Sequence, residues 1–179
     1  MPTDLPTQFS ARLDADVYAL LAHRILDGDN RHLVRKPADD DEPVLFRATL
    51  DRNAGTVRLL NFPPLTDRVG TDLGRVTATV SVEGEPEGRY DSETGHIEVE
   101  VILTFDPDHA LARTSRVTLV LSSDGRIEQP ELDATGFALE LDEGTLTLTG
   151  HGTFESGTLD GGLIWLAIAC AIDDVTDEA

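Results

Sequence analysis

The sequence predicts an all-β, mainly antiparallel fold of about eight strands, closed as a barrel or stacked as a sandwich, with one N-terminal amphipathic α-helix. Three observations predict it: an alternating apolar segment near the middle of the chain, turn motifs that recur at short intervals, and a single helix-like spacing near the start. The 179 residues are enough for one domain with a real core. We divide that domain into an arm, helix and acidic linker (1–43), the β-structure (44–172) and an acidic tail (173–179).

The segment His96–Phe105 is the clearest strand. Ile97, Val99, Val101, Leu103 and Phe105 share one parity, and mostly polar residues share the other. Because successive side chains of a strand point to opposite faces, one face is predicted to be buried and the other wet. The wet face is interrupted once, by Ile102.

The predicted helix follows an irregular arm at residues 1–9. Its apolar residues recur at helical spacing: Leu13, Val17, Leu20, Leu21 and Ile25. Gly28 is well placed to end it. The polar stretch 27–43 that comes next is predicted to be a solvated linker, because its acidic residues match no calcium-binding loop.

The other strands are predicted from alternation bounded by turn residues. They cover approximately 44–50, 56–62, 76–82, 117–121, 137–141, 145–149 and 158–172. Four of the connections read as tight hairpins, such as the turn that ends at Gly55. This number of hairpins favours an up-and-down meander and places a jelly roll second.

Two strands depart from plain alternation. In the strand after Gly144, the inward parity includes Gly150, Gly152 and then Phe154. Two inward glycines permit a bend at a barrel corner, which we favour, or leave a small cavity.

The last strand is apolar on both faces, so both faces must be covered. Its outer face carries Trp165, Ala167 and Ala169, whose alanines allow close approach of another element. The N-terminal helix or a neighbouring subunit is the expected partner. Together with the outward Ile102 and Val120, these residues form the candidate interface.

Composition excludes some partners. The formal net charge is -20, and Lys36 is the sole lysine. Such a surface repels nucleic acid and anionic lipid. High salt would screen its self-repulsion, which favours a halophilic source, although a high-GC genome explains the scarcity of lysine nearly as well. No basic and apolar leader is visible, and the longest apolar run is too short to cross a membrane as a helix.

No motif in the sequence names a reaction. The five histidines and the single cysteine, Cys170, lack the spacing of a metal site, and phosphate-loop and nucleophile-elbow motifs are missing. We therefore predict no catalytic residues, metal or cofactor.

The sequence leaves three classes of function. The favoured class is a structural subunit of a coat, capsid or tail, as a homo-oligomer or with other assembly subunits, located in the cytoplasm or a virion. The second is a barrel that binds a small apolar ligand, for which Gly150, Gly152 and Phe154 are the candidate cavity. The third is a barrel enzyme that acts by shaping its substrate.

Overall fold

The computed structural model describes residues 7–28, 30–38 and 41–177, and over these ranges it contains strands and no helix. The fourteen strands are β1 (Gln8–Ala22), β2 (Arg31–Lys36), β3 (Val44–Asp51), β4 (Thr56–Leu60), β5 (Leu65–Thr71), β6 (Gly74–Val82), β7 (Glu87–Tyr90), β8 (Ile97–Pro107), β9 (Ser115–Ser122), β10 (Arg126–Glu128), β11 (Asp133–Thr135), β12 (Phe137–Glu140), β13 (Thr145–Thr153) and β14 (Leu163–Asp177).

Eight of these strands close an antiparallel barrel. Around the wall they follow the order β1, β3, β4, β7, β8, β9, β13 and β14, and β14 pairs with β1 to complete the ring. Wall neighbours therefore follow each other along the chain. The predicted barrel is confirmed, and its connections have the up-and-down order that the tight turns predicted.

Three additional strands widen one end of the barrel. The first half of β1 pairs with β3, and its second half pairs with β2. In the same way, β8 pairs with β7 through its start and with β6 through its end. The hairpin of β5 and β6 extends this side of the wall. One end of the barrel is thus walled by β1, β3, β4, β7 and β8, and the other end by β1, β2, β5, β6 and β8.

The predicted N-terminal helix is wrong. Residues 8–22 form β1, the strand that joins both ends of the wall. Its inward side is a period-two row of Phe9, Ala11, Leu13, Ala15, Val17, Ala19 and Leu21. The helical interpretation counted the large aliphatic residues and passed over Ala11, Ala15 and Ala19, which complete the strand pattern. The two spacings share Leu13, Val17 and Leu21, so the large residues alone do not separate them.

Both terminal regions contribute strands to the sheet. The predicted linker contains β2, which pairs with β1 from Arg31 to Lys36. The predicted acidic tail continues β14, in which Asp173 pairs with Arg12 and its carboxylate accepts a hydrogen bond from the Arg12 guanidinium at 2.6 Å. Most of the predicted arm, residues 1–6, lies outside the described residues.

The end of the barrel closed by β3, β4 and β7 is filled with large side chains. Phe9 meets Tyr90 edge to face at 6.3 Å between ring centres. Phe46 lies 5.0 Å, between ring centres, from Phe62, which also faces the other end of the barrel. Leu13, Leu50, Ile97, Leu146 and Leu148 fill the space between them, and each is at most 1% exposed. We call this end the packed half of the barrel.

Candidate ligand-binding cavity

The other end of the barrel encloses an apolar cavity, and we call this end the hollow half. Its walls come mainly from the second half of β1, from β2, β5 and β6, from the middle and end of β8 and from the start of β14, with single residues from β4 and β9 and three from loops. Apart from Thr66 and Asp67, every residue that lines the cavity is apolar. Small side chains, Ala19 and Ala78, occur in this wall beside larger ones such as Phe105 and Phe154.

The cavity is narrow, with a volume of about 60 Å³. That room exceeds the roughly 10–15 Å³ needed to hold one water molecule. A buried water needs two to four polar partners, and an almost wholly apolar wall does not offer them. The cavity therefore favours an apolar guest over water.

The mouth of the cavity lies where the wall is incomplete. The described backbone pairing joins β2 to β1 and β5 to β6, but joins no residue of β2 to β5. We call the gap between these two strands the seam. Near the seam, Ala19, Val34, Leu65 and Val80 are only partly buried, although all four line the cavity. Solvent thus reaches inward-facing side chains in this part of the barrel.

One side-chain contact crosses the seam. His32 on β2 and Asp67 on β5 form a hydrogen bond of 2.8 Å between Nε2 and Oδ2. His32 lies opposite the inward-facing Leu21 of β1. Asp67 stands between Leu65 and Val69 in the inward row of β5. Both side chains therefore start from the inner side of the wall. They are 22% and 33% exposed. The pair therefore places a polar group at the mouth, beside the apolar interior.

The seam is bounded at one end by backbone hydrogen bonds. The amide of Asp27 donates to the carbonyl of Gly70 at 2.9 Å, and the amide of Asp72 donates to the carbonyl of Ile25 at 2.8 Å. Beside this join, Leu26 and Leu159 close the barrel end and are 2% and 1% exposed. These contacts leave the middle of the seam as the opening.

The predicted cavity residues divide between two roles. Phe154 lines the cavity and meets Phe105 edge to face at 6.4 Å. Gly150 and Gly152 do not line it. A Cβ atom added to Gly150 would lie 2.5 Å from the carbonyl oxygen of Val120, and one on Gly152 would lie 2.8 Å from a methyl group of Val117. These glycines let β13 approach β9 closely where the barrel closes.

The part of the outer face of β14 around Ala167 is covered by the chain itself. The hairpin of β10 and β11 places Ile127 and Leu132 over Leu20 and Ala167, and all four are at most 6% exposed. Sequence reasoning missed this partner because the hairpin is short and interrupted by Pro130. Trp165, which packs at the margin of this cluster, also lies 5.7 Å from the guanidinium of Arg31.

The remaining interface candidates lie at different levels of exposure. Val120 is 46% exposed, whereas Ile102 and Ala169 are partly buried. Ile102 pairs with Thr118 on β9, two residues from Val120, so the two apolar residues are diagonal neighbours on the outer wall. Glu100 lies opposite Val120 and makes their surroundings polar.

Other reactive groups in the described residues give no second site. Cys170 is buried in the packed half, and this burial raises the pKa of its thiol to about 12, with Asp14 and Asp16 adding to the shift. Such a thiol is not a ready nucleophile. Within the described ranges, no three histidine, cysteine or carboxylate side chains are grouped to hold a metal ion, and no helix is long and apolar enough to cross a membrane.

Comparison with protein-family models, with curated proteins and with solved structures finds no match to this chain. Function therefore has to be inferred from the residues and their geometry.

Proposed function

We propose that this protein binds a small apolar molecule inside the hollow half of its barrel. The observation that carries the proposal is the contrast between the cavity wall, which is apolar except for Thr66 and Asp67, and the seam that connects it to solvent. Apolar surface removed from water stabilises a complex by roughly 25 cal/mol per Å². Small-molecule sites are typically concave, with mostly apolar walls and a small number of polar groups.

The narrowness of the cavity indicates the shape of the ligand. Side chains from β1, β5, β6, β8 and β14 surround the cavity, and its volume is only about 60 Å³. A fused ring system would push these strands apart, at the cost that close-packed interiors impose. An unbranched aliphatic chain requires the least displacement, so we take it as the ligand's apolar part.

Thermal unfolding with octane tests this proposal. A ligand that binds only the folded state raises its stability according to the ligand's concentration relative to Kd. We expect buffer saturated with octane to raise the Tm by about 2–4 °C for each kcal/mol of binding at this chain length. No change in the Tm of the wild-type protein would contradict the proposal.

A matched pair of variants localises the effect. Ala19→Leu adds three carbon atoms inside the cavity, beside Val34 and Leu166, and should abolish the octane effect. Ala171→Leu makes the same substitution on the exposed outer side of β14 and should leave it intact. Equal octane effects in both variants would show that octane binds elsewhere.

Assembly as a structural subunit is the second candidate. The pair of Ile102 and Val120 on the outer wall favours it, because Val120 is 46% exposed and no described element covers it. Charge at the centre of a subunit contact is costly, so Ile102→Asp and Val120→Asp should dissociate any assembly. Light scattering that gives the same mass for both variants and the wild-type protein would remove this candidate.

A further inference from the structure

The proposed function leaves the polar pair at the seam without a role. His32 and Asp67 are the groups that a molecule lying in the cavity would meet at the point where it reaches solvent. An alkane has no group that can hydrogen-bond to this pair, whereas an amphiphile can hydrogen-bond to it through its head group. The chemistry of the pair therefore bears on which aliphatic molecule the barrel takes.

Asp67 is an acceptor with unused capacity. An ionised carboxylate has about four lone-pair positions on two oxygens. Among the described residues, His32 is the side chain that hydrogen-bonds to Asp67, and it contacts Oδ2. Asp67 is itself among the residues that line the cavity. Oδ1 is thus placed to accept a hydrogen bond from a guest.

The basic side chains on the inward side of β2 already have partners. The imidazole of His32 contacts Asp67. Lys36 lies four residues further along β2, on the same inward side, and its ammonium donates a hydrogen bond to Asp41 at 2.7 Å. A carboxylate or phosphate head would therefore meet Asp67 with no unengaged basic side chain on the inward side of β2 or β5, because Arg68 belongs to the outward row of β5. The net charge of -20 adds to this repulsion.

We propose that the ligand is an unbranched aliphatic molecule whose head group is a hydrogen-bond donor without negative charge, and that Asp67, oriented by His32, binds this head at the seam. The inference rests on the proposed function and specifies its ligand class. Hydroxyl and ammonium heads share the required chemistry. A hydrogen bond from a donor to a carboxylate is stronger than a hydrogen bond between two neutral groups.

Calorimetric titration with 1-octanol, octylamine and octanoate tests the inference. These probes have the same chain length and differ in their head groups. We expect 1-octanol or octylamine to bind at least about tenfold more tightly than octanoate, as one hydrogen bond to a charged group implies. A stronger preference for octylamine identifies the head as a cation, and a stronger preference for 1-octanol identifies it as a neutral hydroxyl.

Variants at Asp67 assign the preference to this carboxylate. Asp67→Val should weaken the favoured probe about tenfold while the octane effect on Tm persists. Asp16→Val makes the same substitution at an exposed position of β1 and should change neither. Asp67→Asn keeps the shape and an acceptor oxygen, so it should weaken octylamine more than 1-octanol, and it serves if the valine variant does not fold.

Two outcomes would overturn the inference. One is octanoate binding as tightly as the other two probes. The other is an Asp67 variant that keeps the wild-type affinities within about threefold while octane still raises its Tm. A wild-type protein that octane does not stabilise would instead contradict the proposed function itself, so the two failures are distinguishable.

Discussion

Ala15 and Ala19 face the interior from the same strand, yet one lies in the packed half of the barrel and the other in the hollow half. Ala15 pairs with Val44 on β3 and Cys170 on β14, and it is 1% exposed. Ala19 pairs with Val34 on β2 and Leu166 on β14, and it is only partly buried. The residue type is the same, so the difference comes from the neighbouring strands.

The neighbouring strand either continues the wall or ends it. Beyond β3 the hydrogen-bonded ladder runs on through β4 and β7 to β8. Beyond β2 it stops, because β2 does not pair with β5. The inward alanines of the hollow half, Ala19 and Ala78, also leave space that its larger side chains, among them Phe105 and Phe154, do not fill. Without a hydrogen-bonded ladder between β2 and β5, this part of the wall is not held closed. The cavity and its opening therefore occur at the same end of the barrel.

The largest expected difference between the halves is in truncation of leucine. Leu13→Ala removes a side chain that is 1% exposed in the packed half, and should lower the free energy of unfolding by about 3–5 kcal/mol. Leu65→Ala removes a partly exposed side chain at the cavity and should cost about 1 kcal/mol. Urea unfolding measures both. Equal costs would show that the hollow half is as tightly packed as the other.

Enlarging alanine gives a smaller difference in the same direction. Ala15→Leu inserts three carbons where no space exists and should destabilise the protein by about 1–3 kcal/mol. Ala19→Leu has the cavity beside it and should change the free energy of unfolding by less than about 0.5 kcal/mol in the absence of ligand. A large loss of stability in Ala19→Leu would show that the cavity cannot accept even a side chain of its own.

The smallest expected difference concerns a turn at each end of the barrel. At the packed end, the Asp91 carboxylate accepts hydrogen bonds from the amides of Glu93 and Thr94 at 2.9 and 3.4 Å. The Glu93 amide is the main reason that the pKa of Asp91 lies below its usual value. At the hollow end, the hydroxyl of Thr71 accepts from the amide of Leu73 at 3.1 Å.

These two turns should respond differently to acid. A lowered pKa in the folded state means that ionised Asp91 stabilises the fold above the unfolded-state pKa of about 3.9, and that this contribution disappears as pH falls through the folded-state value. Asp91→Ala should therefore be less stable than the wild type at pH 7 and equally stable once Asp91 is protonated. Thr71→Ala should show a deficit that does not depend on pH. Urea midpoints across the acid range measure both, and parallel pH curves for the two variants would contradict the role of the carboxylate.

The strands of the central and C-terminal wall could be predicted because each carries its own signal. Ile97, Val99 and Val101 alternate with glutamate, and tight turns such as that at Gly95 separate one segment from the next. The same rule fits β1, but its inward alanines weaken the signal, and the larger residues imitate a helix. Local pattern was sufficient in β8, where large residues occupy every inward position, and failed in β1, where three of the seven inward residues are alanine.

The cavity could not be predicted because no residue encodes it alone. It depends on the side-chain volume that β1, β5, β6 and β14 together bring to one level of the barrel, and on the failure of β2 to meet β5. The sequence drew attention to Gly150 and Gly152 as inward spaces, but the backbone of β9 fills those spaces. Phe154 is the predicted cavity residue that does line the cavity. It continues the inward row of β13 just after that strand ends. His32 and Asp67 are 35 residues apart, and neither belongs to a recognisable motif.

The pairing of β1 with β14 also has a kinetic consequence. Phe9 lies opposite Asp177, so the contact that closes the ring joins segments almost as far apart in sequence as the chain allows. Such contacts form late, because the entropy of closing a long loop must be overcome before they contribute. Until that step, β1 and β14 are two unpaired edges, and the apolar faces of β14 are exposed. An intermediate at that stage would present a template for adding another chain's strand, so we expect refolding yield to fall as protein concentration rises.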